Sequence, residues 1–389
     1  MKKYLLKIIT AVIFCSSLLF SFEICNAQIS PADSNLTSLI IDSKILGEKS
    51  KVFIELPKDY YLTSEKYPIV YVLDGAYNFK FSSEAVKLLY QNERIPPCIV
   101  IGITSTNRER DFTPAGDSNW QPPREMQAAG GADKFLKYLE EELIPAIDKK
   151  YRTQPFRTII GHSLGGLLAM YAFSTKPYLF QAHISLEGSL WWNDGAVGKS
   201  VINYLDAHPA YKGKLFIGRI KIPREAWFPI NATLIDYLEK KRPAGMEYTY
   251  MEISEETHST MVFPGTYFGL RDVFKDYFFE LNEQADEKSI MAYYSSLSAK
   301  YGFTVIIPQQ IYNFLWDIAM HEKKYDDAIH YGEMRIKYYP NSYRAYMDLG
   351  STYIQTGNKE KAITCLTTAS TLNPADESVK QMLNGLLKQ

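Results

Sequence analysis

The sequence predicts an α/β fold: a mostly parallel sheet covered by helices on both faces, followed by a small all-α segment. Three observations point there. Apolar, β-branched runs alternate with amphipathic stretches from about residue 50 to residue 280. One such run leads straight into Gly161-His162-Ser163-Leu164-Gly165 and then into an apolar helix. From about residue 285 the strand-like runs cease and a spacing of 34 residues appears.

The first 27 residues read as a signal peptide, not as part of the fold. Lys2, Lys3 and Lys7 form a positive start, Ile8 to Phe20 is almost wholly apolar, and Cys25-Asn26-Ala27 offers a cleavage site before Gln28. The apolar run is too short for a membrane span. The expected location is the periplasm or the exterior, with no membrane association after cleavage. Of the four cysteines, Cys98 and Cys365 remain, each in an apolar run, and they read as small buried hydrophobes. Lys plus Arg number 43 and Asp plus Glu 44. That balance excludes a strongly basic nucleic-acid binder.

The elements follow in order. Ser50 to Leu56 reads as an early strand. Tyr67 to Leu73 is a β-rich run ending at Asp74-Gly75, and Cys98 to Ile103 is another. Ala132 to Tyr151 is a helix, with Phe135, Leu139, Leu143 and Ile147 at four-residue spacing. Thr158 to Ile160 is a short buried strand, and Leu164 to Thr175 the helix after it. Ala182 to Leu186, Lys214 to Ile220 and Tyr248 to Ile253 are further strands. Asn231 to Lys241 and Gly265 to Phe278 are helices. Residues 28–285 form this first domain.

Residues 286–389 form the second. Pro374 lies 34 residues after Pro340, and Ala362 lies 34 after Ala328. Tyr346, Leu349, Gly350, Tyr353, Gly357, Ala369 and Pro374 match tetratricopeptide spacing. The preceding copy is degenerate, with Trp316 where a small Gly belongs, and Glu377 to Leu387 reads as a capping helix. So short an array is expected to lean on the first domain; a protein partner is the use such repeats suggest.

Gly161-His162-Ser163-Leu164-Gly165 carries the chemistry. It is Gly-x-Ser-x-Gly between a strand and a helix, the context of the nucleophile elbow in an α/β-hydrolase. The tight turn lifts Ser163 to the carboxyl end of the sheet. The helix beginning at Leu164 aims its N-terminus at the same point and favours a developing oxyanion. A serine hydroxyl needs a base. His258, in the acidic loop after the final strand, occupies the position where this fold places it. His162 is read as pointing elsewhere on the turn and His183 as a core residue.

The catalytic acid should lie between serine and base in chain order. Glu225, after the penultimate strand, is preferred; Glu187, after Ala182 to Leu186, is the alternative. The second oxyanion donor is expected from the loop Asp74-Gly75-Ala76-Tyr77, through the amide of Gly75 or Ala76. Trp191, Trp192 and Tyr77, with Trp120 and Trp227, are candidates for an aromatic acyl pocket; core packing is an equal reading for the tryptophans. No Cys or His cluster has metal-ligand spacing, and no Gly-x-Gly-x-x-Gly follows a strand. Neither a metal nor an organic cofactor is expected.

Several stretches carry a family resemblance: Tyr71-Val72-Leu73-Asp74-Gly75, Arg108 to Pro114, Gly130 to Phe135, Arg157 to Gly166, Ser189-Leu190-Trp191-Trp192, and His258 ahead of Gly269-Leu270-Arg271. Residues 40–280 resemble the putative esterase family, which includes esterase D, feruloyl esterases and siderophore (enterobactin-type) esterases. The resemblance implies an α/β-hydrolase and a serine esterase. Members often carry Asp or Ser followed by Pro where this chain has Glu187-Gly188, and Gly218 to Trp227 is unlike the family pattern. These departures bear on the acid, and a Ser163–His258 dyad is the alternative they raise. The expectation is a carboxylic-ester hydrolase acting through an acyl-enzyme, on a small-molecule or glycan-linked ester. The rival readings are an acyltransferase on the same fold and a binding protein with a decayed esterase domain.

Overall fold

The computed structural model describes residues 35–280 and 286–388; the leader predicted at residues 1–27 lies outside them. Eight strands form one sheet in the order β1-β2-β4-β3-β5-β6-β7-β8. They are β1 (Leu36–Ser43), β2 (Glu48–Glu55), β3 (Tyr67–Val72), β4 (Ile99–Ile103), β5 (Thr153–His162), β6 (Ala182–Leu186), β7 (Lys214–Ile220) and β8 (Glu247–Ile253). β1 and β2 pair antiparallel, β2 joins β4 antiparallel, and every pair from β4 to β8 is parallel. All residues of β3, β4 and β6 are buried, as expected of parallel strands covered on both faces.

The helices of this region are α1 (Gly75–Gln91), α2 (Arg108–Phe112), α3 (Ala132–Tyr138), α4 (Ile144–Lys150), α5 (Leu164–Thr175), α6 (Trp192–Ala207), α7 (Pro229–Lys241) and α8 (Val262–Val273). A π-helical turn, Leu139–Leu143, joins α3 to α4. On one face of the sheet Tyr71, Ile101, Phe135, Leu168, Phe173 and Trp192 share a core. On the other, Val70, Val72, Phe79, Ile184, Phe216 and Phe274 do.

The structure adds one strand and corrects one local expectation. β1 carries no clean alternation, because most of its residues are exposed or half-exposed at the edge of the sheet; periodicity therefore passed it over. The segment after β3 is not a loop. It enters α1 directly, with Asp74 left-handed at φ 54° and the amides of Tyr77 and Asn78 bonded to the Asp74 carbonyl.

From Glu287 the chain is helical: α9 (Glu287–Tyr301), α10 (Gln309–His321), α11 (Tyr325–Tyr338), α12 (Tyr343–Gln355), α13 (Lys359–Leu372) and α14 (Glu377–Leu387). The change of secondary structure does not divide the packing. Ile290, Tyr294, Leu297, Ile311 and Tyr312 belong to the same buried cluster as Phe216 and Phe274. The rings of Tyr301 and Phe303 each lie 5.8–5.9 Å from neighbours that include Phe156 of β5. Asn341 bonds back to the carbonyls of Tyr61 and Leu62. Farther out, Leu349, Tyr353, Leu366 and Ala369 form a separate small core. Trp316 fills its degenerate position by donating from Nε1 to Thr352 Oγ1 at 3.0 Å.

Candidate active site

Ser163 stands between β5 and α5 with φ 57° and ψ −117°, a conformation that non-glycine residues rarely adopt and that persists only where surroundings hold it. Its amide bonds to the Leu186 carbonyl, and its carbonyl accepts from Ser189 and Leu167. Gly161 makes the turn sterically feasible: a Cβ there would sit 2.0 Å from the Gly165 carbonyl oxygen. The Ser163 hydroxyl lies 3.4 Å from that of Ser189, which is buried.

His258 follows β8, past a left-handed Glu255 at φ 63°. Its Nδ1 lies 3.7 Å from Glu187 Oε2, with the imidazole about half exposed (51%) and the carboxylate 10% exposed. That separation is within ion-pair reach but long for a hydrogen bond; catalytic contacts often tighten only when substrate binds. Glu187 is itself fixed. It stands just past β6 at φ 46°, and its Oε1 accepts from Arg219 Nε at 3.1 Å and from the Ile220 amide at 3.0 Å. Burial pushes the Glu187 carboxyl up, but the facing His258 and Arg219 outweigh it and hold the group below its ordinary value.

Two helix N-termini meet beside Ser163. A Cβ on Gly165 would be 3.3 Å from the Leu73 Cβ and 3.4 Å from Asp74 Oδ2, so the first turn of α5 faces the entry to α1. The amides of Leu164, Gly75 and Ala76 belong to first turns, whose N–H groups have no intrahelical acceptor. Gly75 has no room for a side chain, since a Cβ would lie 2.5 Å from the Gly102 carbonyl carbon. Asp74 would oppose an anion here, but Arg108 binds it through both carboxylate oxygens at 2.8 and 2.9 Å and offsets its charge.

The family model described as "Putative esterase" matches residues 43–215. An IroE-like serine hydrolase from Shewanella oneidensis is 30% identical, with a TM-score of 0.67 over 77% of this chain and 98% of that one. The chain belongs to the Putative esterase family. A tetratricopeptide-repeat model matches residues 315–384. The "Ferri-bacillibactin esterase BesA" of Bacillus subtilis is 33% identical over 154 residues, which are 36% of this chain and 53% of that protein. The chain thus spans about half the length of the first curated relatives it matches. A Capnocytophaga ochracea protein, 16% identical with a TM-score of 0.60, covers 91% of this chain and shares its fold.

Within this esterase-family scaffold, two expectations about the site change. Glu225 does not meet His258. It lies exposed in the short 3-10 turn Arg224–Ala226 beyond Pro223, because the chain leaves β7 outward into solvent. Glu187 is the carboxylate that faces the imidazole. Trp192 is 1% exposed, with its Nε1 bonded to the Pro114 carbonyl and its ring 4.5 Å from that of Trp120; it is core and lines no acyl pocket. Trp191 is half-buried against Phe228, and Tyr77 is 78% exposed on the first turn of α1.

Two residues at the site have contacts that the sequence reading did not assign to them. His162 turns toward His258: its Nε2 lies 2.6 Å from the His258 carbonyl oxygen, and the two rings are 4.5 Å apart. Burial first, and then the neighbouring His258, lower its pKa to about 4, so it is neutral at ordinary pH and donates through Nε2–H. Ser189 is the other. Its position two residues past the candidate acid Glu187 was the available signal. His183 is fully buried between Phe173 and Phe180, its pKa lowered to about 3 by burial, and takes no part.

Proposed function

We propose that this protein is an exported serine carboxylesterase using Ser163 as nucleophile, His258 as base and Glu187 as the orienting acid. Ser163 Oγ attacks the ester carbonyl carbon while His258 takes its proton. The oxyanion is held by the Leu164 amide and by that of Gly75 or Ala76. Collapse expels the alcohol, which receives the proton from His258. Water, deprotonated by His258, then cleaves the acyl-enzyme and releases the acid. The observation that carries this reading is the Glu187–His258 pair beside a strained serine at a strand–helix turn.

For the substrate, siderophore-type esters are the leading class, since relatives are named a ferri-bacillibactin esterase and a siderophore enterobactin esterase. The exposed Tyr77 and the Trp191–Phe228 pair suit the aromatic acyl parts of a bulky ester. Export rests on the leader-type residues 1–27. The esterase region and the helical tail are proposed to act as one protein, with the tail available to a protein partner.

The test is turnover of nitrophenyl butyrate and of enterobactin by the purified protein, with a fluorophosphonate label mapped by mass spectrometry. Hydrolysis and a label on Ser163 are expected. A folded protein that neither turns over nor takes the label would refute the assignment, and ester exchange onto an added alcohol in place of hydrolysis would make it an acyltransferase.

A further inference from the structure

Ser189 shares a corner of the site with Ser163. Its hydroxyl lies 3.4 Å from Ser163 Oγ, and that oxygen is its one hydrogen-bond partner among the described residues. The residue is 7% exposed. A hydroxyl taken out of water needs a partner, and here the partner is the oxygen that would react.

The backbone fixes this contact. The Ser189 amide donates to the Ser163 carbonyl at 3.1 Å, and the Ser163 amide donates to the Leu186 carbonyl at the end of β6. The Ser189 carbonyl accepts from the Trp192 amide at 3.1 Å. Trp192 is buried and tied to the Pro114 carbonyl, so the far side is anchored as well. The two serines are carried on the stapled ends of β5 and β6.

The state of Ser163 decides which oxygen donates. While Ser163 holds its own proton, either hydroxyl can serve as donor. Once Oγ is acylated it has no proton, and the contact survives only with Ser189 as donor. The bridging oxygen of an ester is a poor acceptor. The same oxygen leaving a tetrahedral intermediate carries developing negative charge and is a strong one. A donor at this position therefore acts most on the step in which Oγ leaves. It acts little on acylation, because the free serine oxygen already accepts the same bond before it attacks. At 3.4 Å the contact is long for O–H···O, with room to shorten as charge develops.

We propose that Ser189 is a further catalytic residue: its hydroxyl donates to Ser163 Oγ as that oxygen departs from the acyl-enzyme, and so speeds deacylation. The proposal rests on Ser163 and His258 working through an acyl-enzyme. In this step water adds to the acyl carbon and gives a proton to His258. The C–Oγ bond then breaks, its electron pair passes to Oγ, and His258 returns the proton there. Ser189 keeps its own proton throughout.

Rapid-mixing hydrolysis of nitrophenyl butyrate by the full-length protein tests it. The burst of nitrophenol reads acylation, and mass spectrometry of quenched samples reads the decay of acyl-Ser163. Ser189→Ala should slow that decay about three- to tenfold, the worth of one neutral hydrogen bond. The acylation rate should change less than about twofold, so acyl-Ser163 should build to a higher level. Ser189→Cys, close in size but a weak donor, should fall between, and it serves where the Ala chain does not fold. Equal slowing of both steps, as a merely structural serine would give, would overturn the proposal. So would an unchanged decay in a variant that acylates normally, which removes Ser189 alone. An unmutated protein that forms no acyl-Ser163 would instead overturn the Ser163 assignment, and this proposal with it.

Discussion

The His162 side chain donates from Nε2 to the backbone carbonyl of His258, 2.6 Å away, so the residue before the proposed nucleophile holds the loop that carries the proposed base. His162 is thereby a positioning residue. Its replacement by Ala should lower kcat roughly ten- to a hundredfold with little change in KM, because the base is displaced while the ester-binding surface is untouched. Gln, which retains a donor, should restore part of the loss. Equal losses for Ala and Gln at unchanged Tm would argue against the clasp.

Glu187→Gln should reduce kcat by about a hundredfold or more, since an amide can stabilise the wrong imidazole tautomer. Glu225→Gln should change little. Steady-state kinetics on both variants, with Tm measured alongside, checks this; the reverse ranking would restore Glu225 as the acid.

Ser163→Ala and His258→Ala should each abolish nearly all turnover, and the double variant should be scarcely slower than either, because the two act as one unit. A double variant much slower than both singles would show that they contribute independently.

His183 predicts a pH effect on stability. In the unfolded chain it titrates at its ordinary pKa; in the fold its pKa is about 3. Between those values the unfolded state binds the extra proton, so stability falls as pH drops from the ordinary histidine range toward 3. His183→Leu should remove this contribution. The variant's Tm relative to the parent should therefore rise on going from pH 7 to pH 4.5, and a parallel decline of both proteins would contradict the assignment.

Truncation separates two parts of the tail. Removing residues 286–389 strips Phe156 and Phe274 of Tyr301 and Phe303 and should leave an insoluble or unfolded chain. Removing residues 343–389 takes away the separate outer core and frees Arg335 from Asp348. It should lower Tm yet preserve turnover on a small ester. Circular dichroism and a nitrophenyl-ester assay distinguish these outcomes.

Much of this was legible in the sequence, for physical reasons that differ by element. β6 and β7 were bounded correctly because each carries large apolar side chains, Ile184 and Leu186 in one and Leu215, Phe216 and Ile217 in the other, between polar stretches. Ser163 was legible because its turn demands glycines at fixed offsets. Glu187 was passed over in favour of Glu225 because the choice depends on how the chain leaves β7, and a proline-directed turn into solvent leaves no periodic signal. His162 was missed because its partner is a backbone carbonyl 96 residues away. The division near residue 285 was drawn from helix spacing, which reports local structure and says nothing of which core a helix joins.

That shared core bears on inheritance and engineering alike. A repeat array tethered by a linker can be moved between proteins as a cassette; α9 and α10 cannot, since their inner faces are the missing wall of the sheet's own interior. Substitutions at Tyr294 or Ile311 should therefore be felt as damage to the hydrolase scaffold, and heating should melt the sheet and these two helices in one transition.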